Sequence, residues 1–178
     1  MGGRLLQHRL KTSLHMPNSN FHYRMIKARV AETIIKELFQ YSGFNVYEHG
    51  MERSMPTIAG KLNHDTSDTA MQIRKMPDFV VQAPPPLNKL HYVEVKYRKA
   101  CDFPVSSDQI ENYPYTNAWF IIVSKKDIRC ISCQQILEGE DLRCNDSYLL
   151  ENVKEFGLDE KLVKQFTAYA VQFFEGVE

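Results

Sequence analysis

Residues 76–98, MPDFVVQAPPPLNKLHYVEVKYR, constrain the fold more than any other part of the chain. They place two apolar runs on either side of three consecutive prolines. Runs rich in β-branched and aromatic residues predict strands, and prolines, which cannot donate ladder hydrogen bonds, belong in the connection between them. The segment therefore predicts a β-hairpin, with Asp78 opening its first strand and Glu94 and Lys96 inside its second. Because side chains alternate between the faces of a strand, Glu94 and Lys96 share a face and the valines between and before them point to the other.

Two carboxylates and an ammonium gathered on one sheet are costly unless the charges are compensated. A divalent metal ion provides that compensation. Mg²⁺ prefers oxygen ligands and takes one or two protein carboxylates together with waters and phosphate oxygens. Lys96 would then stabilise phosphate charge or help to deprotonate a metal-bound water. The pattern predicts a site for phosphodiester hydrolysis, and the alternative that a short motif leaves open is a solvated, salt-bridged strand face.

The order of these residues resembles the signature of a known superfamily. Pro77 and Asp78, followed by Glu94, Val95 and Lys96 on the next strand, resemble the motif of the PD-(D/E)XK nucleases. The resemblance implies an α/β fold with a restriction-endonuclease-like core, in which helices flank a mixed central β-sheet, and cleavage of nucleic acid with Mg²⁺ or Mn²⁺. It implies that Asp78 and Glu94 bind the metal and that Lys96 positions or activates the attacking water.

Two further strings extend the resemblance, which covers about residues 25 to 135. Glu32, in the first helical segment, resembles the Glu that many members carry there, which implies a part in metal binding through the water shell. Residues 109–113, QIENY, resemble the Q-x-x-x-Y string of RecB-like members, which implies that Gln109 and Tyr113 support the site. Arg98 extends the cationic side of the site. An edge Glu on the surface, and ordinary packing of Gln109 and Tyr113 on one helix face, remain the alternatives.

Periodicity predicts the rest of the core. A helix from about Met25 to Tyr41 carries an apolar arc that includes Ile26, and Gly43 ends it. Asp159 caps a C-terminal helix whose aromatic stripe covers one face of the sheet. Further strands are predicted at FNVYEHG, AWFIIVS and IRCISCQQI, the last two paired across the turn KKD. Residues 51–75 are only loosely periodic, and their polar run favours a loop over a metal site.

The chain has 178 residues and is predicted to form a basic N-terminal arm, residues 1–24, and a single nuclease-like domain, residues 25–178. Its net charge is zero, but residues 1–31 carry six basic side chains and no acidic one. Such an arm suits a phosphate backbone. A solvated tail, a targeting segment and internal charge neutralisation are the alternatives. No apolar run reaches the length of a membrane span, so no membrane partner is expected.

Four cysteines raise the question of a second metal site. Cys130 and Cys133 form C-x-x-C, with Cys101 and Cys144 outside it. Positions i and i+3 of an extended strand point to opposite faces, which disfavours chelation. The cysteines are therefore interpreted as small buried hydrophobic residues with reduced thiols, and a cytoplasmic location is expected.

The sequence thus predicts a metal-dependent nuclease that acts on DNA or else on RNA, with protein partners or a homodimer as sources of specificity. Two alternatives differ in class. One is a non-catalytic nucleic-acid-binding or assembly module that retains the nuclease fold. The other is hydrolysis or recognition of something other than nucleic acid, because fold and site are separable.

Overall fold

The structure, a computed structural model, describes residues 19–51, 57, 62–100, 110, 112–140, 142 and 145–176. Within these residues the α-helices are α1 (Ser19–Tyr41), α2 (Asp68–Arg74), α3 (Cys133–Leu137) and α4 (Glu160–Glu175). The strands are β1 (Asn45–Glu48), β2 (Phe79–Gln82), β3 (Leu90–Tyr97), β4 (Ala118–Val123) and β5 (Ile128–Ser132). Short 3-10 turns lie at Leu62–His64, Asp146–Tyr148, Leu150–Asn152 and Lys154–Phe156. No helix in this part of the chain is long and apolar enough to cross a membrane.

The strands form one mixed sheet, and their order across the sheet is their order along the chain. β1, β2 and β3 pair antiparallel, β3 and β4 pair parallel, and β4 and β5 pair antiparallel. A parallel pair needs a crossover connection, and the segment between β3 and β4 is residues 98–117, of which 101–109 and 111 lie outside the described residues. Helices pack against the sheet. The predicted α/β class, a mixed central sheet flanked by helices, is therefore confirmed.

The register of the β2–β3 hairpin decides where the charged residues meet. β2 and β3 pair so that Phe79 lies opposite Val93. Asp78, the residue before β2, therefore lies level with Glu94. The three prolines lie in the turn outside the paired strands, as the sequence predicts.

Strand alternation separates the valines of β3 from its charged residues. Val93 and Val95 belong to a large core that α1 and α4 cover. Tyr92 packs against a second core on the opposite face, built around β4, β5 and α3. Glu94 and Lys96 lie on the Tyr92 side, because their positions differ from that of Tyr92 by multiples of two.

α1 begins before the predicted start at Met25. It runs from Ser19, within the segment predicted as a basic arm, and residues 1–18 lie outside the described part of the chain. Gly43 follows the helix with a φ of +83°, in the left-handed region that favours glycine. Ile26, which the periodicity assigned to the buried arc, is 55% exposed. It lies N-terminal to the fully buried residues of α1, which are Ala31, Ile35, Leu38 and Phe39.

The prediction of one strand over IRCISCQQI is wrong at its C-terminal half. β5 ends at Ser132, which starts α3 through a capping box. Cys130 consequently lies in the first core and Cys133 in the second. The two thiols are buried on opposite sides of the sheet, so they cannot bind the same metal ion. Cys101 and Cys144 lie outside the described residues.

α4 covers the first core, as its periodicity predicts. The Asp159 carboxylate caps the helix by accepting a hydrogen bond from the backbone N–H of Leu162 at 2.9 Å. Tyr169 and Phe173, which belong to the same aromatic stripe, are 48% and 44% exposed. The stripe is wider than the surface that α4 shares with the core, which consists of Val163, Phe166, Ala170 and Phe174.

Arg129 is a buried charge whose removal we expect to destabilise the fold. It is 4% exposed, donates to the Asp127 carboxylate at 2.7 and 3.0 Å, and donates to the carbonyl oxygen of Asn145. Arg129→Ala leaves the Asp127 carboxylate and the Asn145 carbonyl without this donor. The substitution should lower the free energy of unfolding by about 3 kcal/mol, measured by urea denaturation. In the matched control, Lys164→Ala breaks an exposed ion pair with Glu160 and should cost less than about 1 kcal/mol. Equal losses in the two variants would contradict this account of Arg129.

Candidate active site

A cavity of about 280 Å³ opens where α1, α2 and the β2–β3 hairpin meet. Four of the residues predicted for the site line it: Glu32 from α1, Asp78 before β2, and Glu94 and Lys96 from β3. The other described residues of the lining are Met25, Ala28, Arg29, Gly50, Met51, Arg74 and Met76. The described part of the lining therefore carries three acidic and three basic side chains.

Asp78 is held by both strands next to it. Its Oδ2 accepts a hydrogen bond from the backbone N–H of Val95 at 2.8 Å. Its backbone carbonyl accepts from the N–H groups of His49 and Gly50 at 2.9 and 3.2 Å. The pairing of β2 with β3 begins only at Phe79. The side-chain oxygen of Asp78 therefore accepts the hydrogen bond from the Val95 N–H in place of a backbone carbonyl of β2. These bonds fix the orientation of the Asp78 carboxylate at the wall of the cavity.

Glu94 lies in a poorly hydrated position beside a second carboxylate. Its side chain is 12% exposed. Burial and then repulsion by Asp78 raise its pKa to about 7, although Lys96 and the Asp78 backbone oppose the rise. A substantial fraction of the Glu94 carboxyl groups therefore holds a proton near neutral pH.

Lys96 forms an ion pair with Glu94 on the same face of β3. Burial lowers the pKa of Lys96, but attraction by Glu94 and Asp78 outweighs burial and raises it overall. Lys96 is therefore an ammonium group. The Glu94 side chain is largely buried and the Lys96 side chain is 37% exposed, so the pair lies at the wall of the cavity rather than on a fully solvated strand face.

Arg98 lies just beyond β3 and is not among the described residues that line the cavity. Its Nη1 donates to the carbonyl oxygen of Tyr97 at 2.9 Å, and burial lowers its pKa. Its charge still acts on Lys96 and opposes the rise in the pKa of that group. Arg98 thus adds positive potential beside the cavity rather than a group within its described lining.

Tyr113 is buried against Phe120, with 5.4 Å between their ring centroids. Its hydroxyl makes no hydrogen bond to the described residues. Burial, and then the charges of Glu94 and Asp78, raise the pKa of Tyr113, which places the phenol within electrostatic reach of both carboxylates. Gln109 lies outside the described residues, so the pairing of Gln109 with Tyr113 stays a prediction.

The Asp78 and Glu94 pair fits a hard divalent cation. Two carboxylates, one of them with a strongly raised pKa, lie level with each other on adjacent chain segments. Mg²⁺ commonly takes only one or two protein carboxylates and completes its shell with waters. Among the described residues, no group of three His, Cys, Asp or Glu side chains is close enough to hold a metal. Glu32, Asp78 and Glu94 therefore do not form a cluster of three metal ligands in this structure, and a part for Glu32 stays a prediction.

Arg29 and Arg74 line the cavity, although no sequence motif points to either residue. Arg74 lies in the loosely periodic segment 51–75, where Ser67 caps α2 by accepting a hydrogen bond from the N–H of Ala70 at 3.2 Å. That signal predicts a short helix and says nothing about what the helix faces. Arg29 lies three residues before Glu32, a helical spacing that puts both on one side of α1.

Comparison with known proteins yields a distant structural likeness. No protein-family model matches the chain, and no curated protein matches it in sequence. Among solved structures the chain is similar to Hjc of Archaeoglobus fulgidus, a Holliday junction resolvase from an archaeal hyperthermophile. The TM-score is 0.41 and the identity 16%, over 78% of this chain and 98% of that one. A TM-score and an identity this low assign no function to the chain. The function is therefore inferred from the residues of the cavity.

Glu94 gives the metal-free protein a measurable dependence of stability on pH. Its pKa is about 7 in the folded state against an ordinary 4.5, so the folded state holds the extra proton between these values. Stability should fall as pH rises through this window, by up to about 3 kcal/mol. In EDTA, Glu94→Gln should therefore gain much more stability over wild type at pH 8 than at pH 5, as measured by urea denaturation. Glu37→Gln, an exposed site on α1, is the control, and a gain for Glu94→Gln independent of pH would contradict the assignment.

Proposed function

We propose that the protein is a metal-dependent nuclease that hydrolyses phosphodiester bonds of nucleic acid, with DNA as its substrate. One observation carries the proposal: Asp78, Glu94 and Lys96 line one cavity with Glu32 facing it from α1. Two close carboxylates suit a divalent cation, and the neighbouring ammonium suits a phosphate. DNA as the substrate rests on the resemblance of the residue pattern to the PD-(D/E)XK nucleases.

Asp78 and Glu94 would hold the metal ion. When bound, such an ion polarises the phosphodiester and makes water a better nucleophile at neutral pH. Asp78 suits this task because its hydrogen bond from Val95 fixes the carboxylate before any ligand arrives. Glu32 would orient water from the opposite wall by accepting a hydrogen bond.

Lys96 would act as an ammonium group. Its pKa is raised, so it donates hydrogen bonds and positive charge but does not take a proton from water in this state. An ammonium beside the scissile phosphate stabilises the negative charge that develops on the phosphoryl oxygens in the transition state. Of the two roles that the sequence leaves open for Lys96, the electrostatics favour stabilisation of phosphate charge.

A panel of labelled substrates tests the proposal. Single-stranded, duplex and branched DNA, and the same strands as RNA, are incubated with the protein in EDTA, Mg²⁺ or Mn²⁺. Cleavage of at least one DNA substrate that needs the metal supports the proposal and identifies the preferred form. Binding of nucleic acid without cleavage under every condition would favour a binding or assembly module. Metal-dependent hydrolysis of other phosphate esters, with none of nucleic acid, would favour a different substrate.

A further inference from the structure

Arg74 is a cavity residue to which the proposed chemistry gives no part. Asp78 and Glu94 hold the metal and Lys96 faces the reacting phosphate, while Arg74 lines the same cavity from the end of α2. It is four residues before Asp78 in the chain, so the connection between them is short. A cation beside a metal site repels the metal, and that cost is offset when a further anion binds there.

The hydrogen bonds of Arg74 hold its guanidinium in place. Nη1 donates to the backbone carbonyl oxygens of Leu62 and Asp65. A guanidinium has three nitrogens and five N–H donors, and these bonds use one nitrogen. Toward the other described residues, Nη2 and Nε make no hydrogen bond. Arg74 is therefore a half-buried, charged donor at the cavity wall that is anchored on one side and has further N–H groups to donate.

The charge in the cavity indicates what such a donor binds. Among the described lining residues, three acidic side chains, Glu32, Asp78 and Glu94, are matched in number by Arg29, Arg74 and Lys96. A divalent ion would add two positive charges to these side chains, so more than one negative charge of the substrate is favoured. One scissile phosphodiester supplies a single charge, whereas a nucleic acid strand supplies a second on the neighbouring phosphate. The planar fork of an arginine suits a phosphate through paired hydrogen bonds.

We infer that Arg74 binds the phosphate next to the one that is cut, so that the substrate is a strand with successive phosphates rather than an isolated diester. This inference rests on the proposed nuclease function. The contact is made to the backbone, so it selects for a polynucleotide without selecting a base sequence.

The test combines the variant Arg74→Gln with oligonucleotides that carry one uncharged methylphosphonate at successive positions around the mapped cut. For wild type, the uncharged linkage at the neighbouring position should slow cleavage by about 10- to 100-fold. On the unmodified strand, Arg74→Gln should cleave more slowly than wild type by a similar factor. On the strand with the methylphosphonate at the neighbouring position, the variant and wild type should cleave at almost the same rate. Arg74→Lys should recover part of the rate, and Lys161→Gln, an exposed charge on α4, should behave as wild type.

A second readout needs no cleavage. In Ca²⁺, a hard cation that also takes carboxylate oxygens, binding of a single-stranded oligonucleotide followed by fluorescence anisotropy should show a weaker salt dependence for Arg74→Gln, with a slope of log K against log salt smaller by about 0.7. If Arg74 only supports the loop at Leu62 and Asp65, the rate losses caused by Arg74→Gln and by the methylphosphonate will multiply wherever the methylphosphonate is placed. The salt slope of binding will then also be the same for the variant and wild type. These two results would overturn the inference. If the wild-type protein cuts no strand, the proposed nuclease function is wrong. If the wild-type protein cuts but the salt slope is unchanged in Arg74→Gln, only the assignment of Arg74 is wrong.

Discussion

Lys96→Ala should reduce the rate of nucleic acid cleavage by about 10³-fold or more while the protein stays folded. Its ammonium is protonated and paired with Glu94 beside Asp78. Loss of a charged group that faces the developing charge of the transition state commonly costs two to four orders of magnitude in rate, that is about 10²- to 10⁴-fold. The measurement is the single-turnover rate at saturating Mg²⁺ on the preferred substrate, with circular dichroism to establish that the variant is folded.

Lys126→Ala is the matched control for this prediction, because it removes the same charge from an exposed position in the turn after β4. It should cleave at the wild-type rate. Because Lys96 compensates Glu94, Lys96→Ala should also leave Glu94 protonated to a higher pH. A folded Lys96→Ala protein that cuts at the wild-type rate would show that Lys96 has no part in the chemistry.

Asp78→Asn should weaken the binding of Mn²⁺ by about 100-fold or more and abolish cleavage. The substitution keeps a side-chain oxygen that can accept the hydrogen bond from Val95, so the hairpin should remain intact. It removes one of the two negative charges on which the affinity of a hard cation depends. Isothermal titration calorimetry measures the affinity, and urea denaturation verifies that the free energy of unfolding changes little.

Asp159→Asn makes the same chemical change at the N-cap of α4, away from the cavity. Asparagine caps helices about as well as aspartate, so this variant should bind Mn²⁺ as wild type does. An Asp78→Asn protein with wild-type affinity for Mn²⁺ would remove Asp78 from the metal site and leave the cavity without its proposed ligand pair.

The hairpin was predictable from sequence because several local signals agree there. Two β-rich runs, a proline turn and strand alternation together place the valines of β3 in the core and Glu94 and Lys96 on the other face. The pairing of Phe79 with Val93 then brings Asp78 level with Glu94. The roles of these residues, and that of Glu32, remain predictions, because a shared cavity does not by itself establish a reaction.

The parts that sequence patterns missed depend on contacts between distant segments. Arg74 lines the same cavity as the hairpin residues Glu94 and Lys96, and nothing in its own segment indicates that position. The sequence misplaces the end of β5 because Ile131 and Cys133 are both apolar and two residues apart, which continues a strand-like alternation past Ser132. The capping interaction of Ser132 outweighs that pattern. Ile26 is also misplaced by sequence, because the apolar periodicity of α1 extends toward its N-terminus beyond the part of the helix that packs on the core.

Titration of Mg²⁺ and Mn²⁺ into wild-type protein and Asp78→Asn, with cleavage of a labelled DNA strand as the readout, tests the central claim most directly. The predicted result is cleavage by wild type that rises with metal concentration, is abolished by EDTA and is absent in the Asp78→Asn variant at every concentration. Cleavage that persists in EDTA, or that is equal in the two proteins, would contradict a metal-dependent nuclease centred on Asp78 and Glu94.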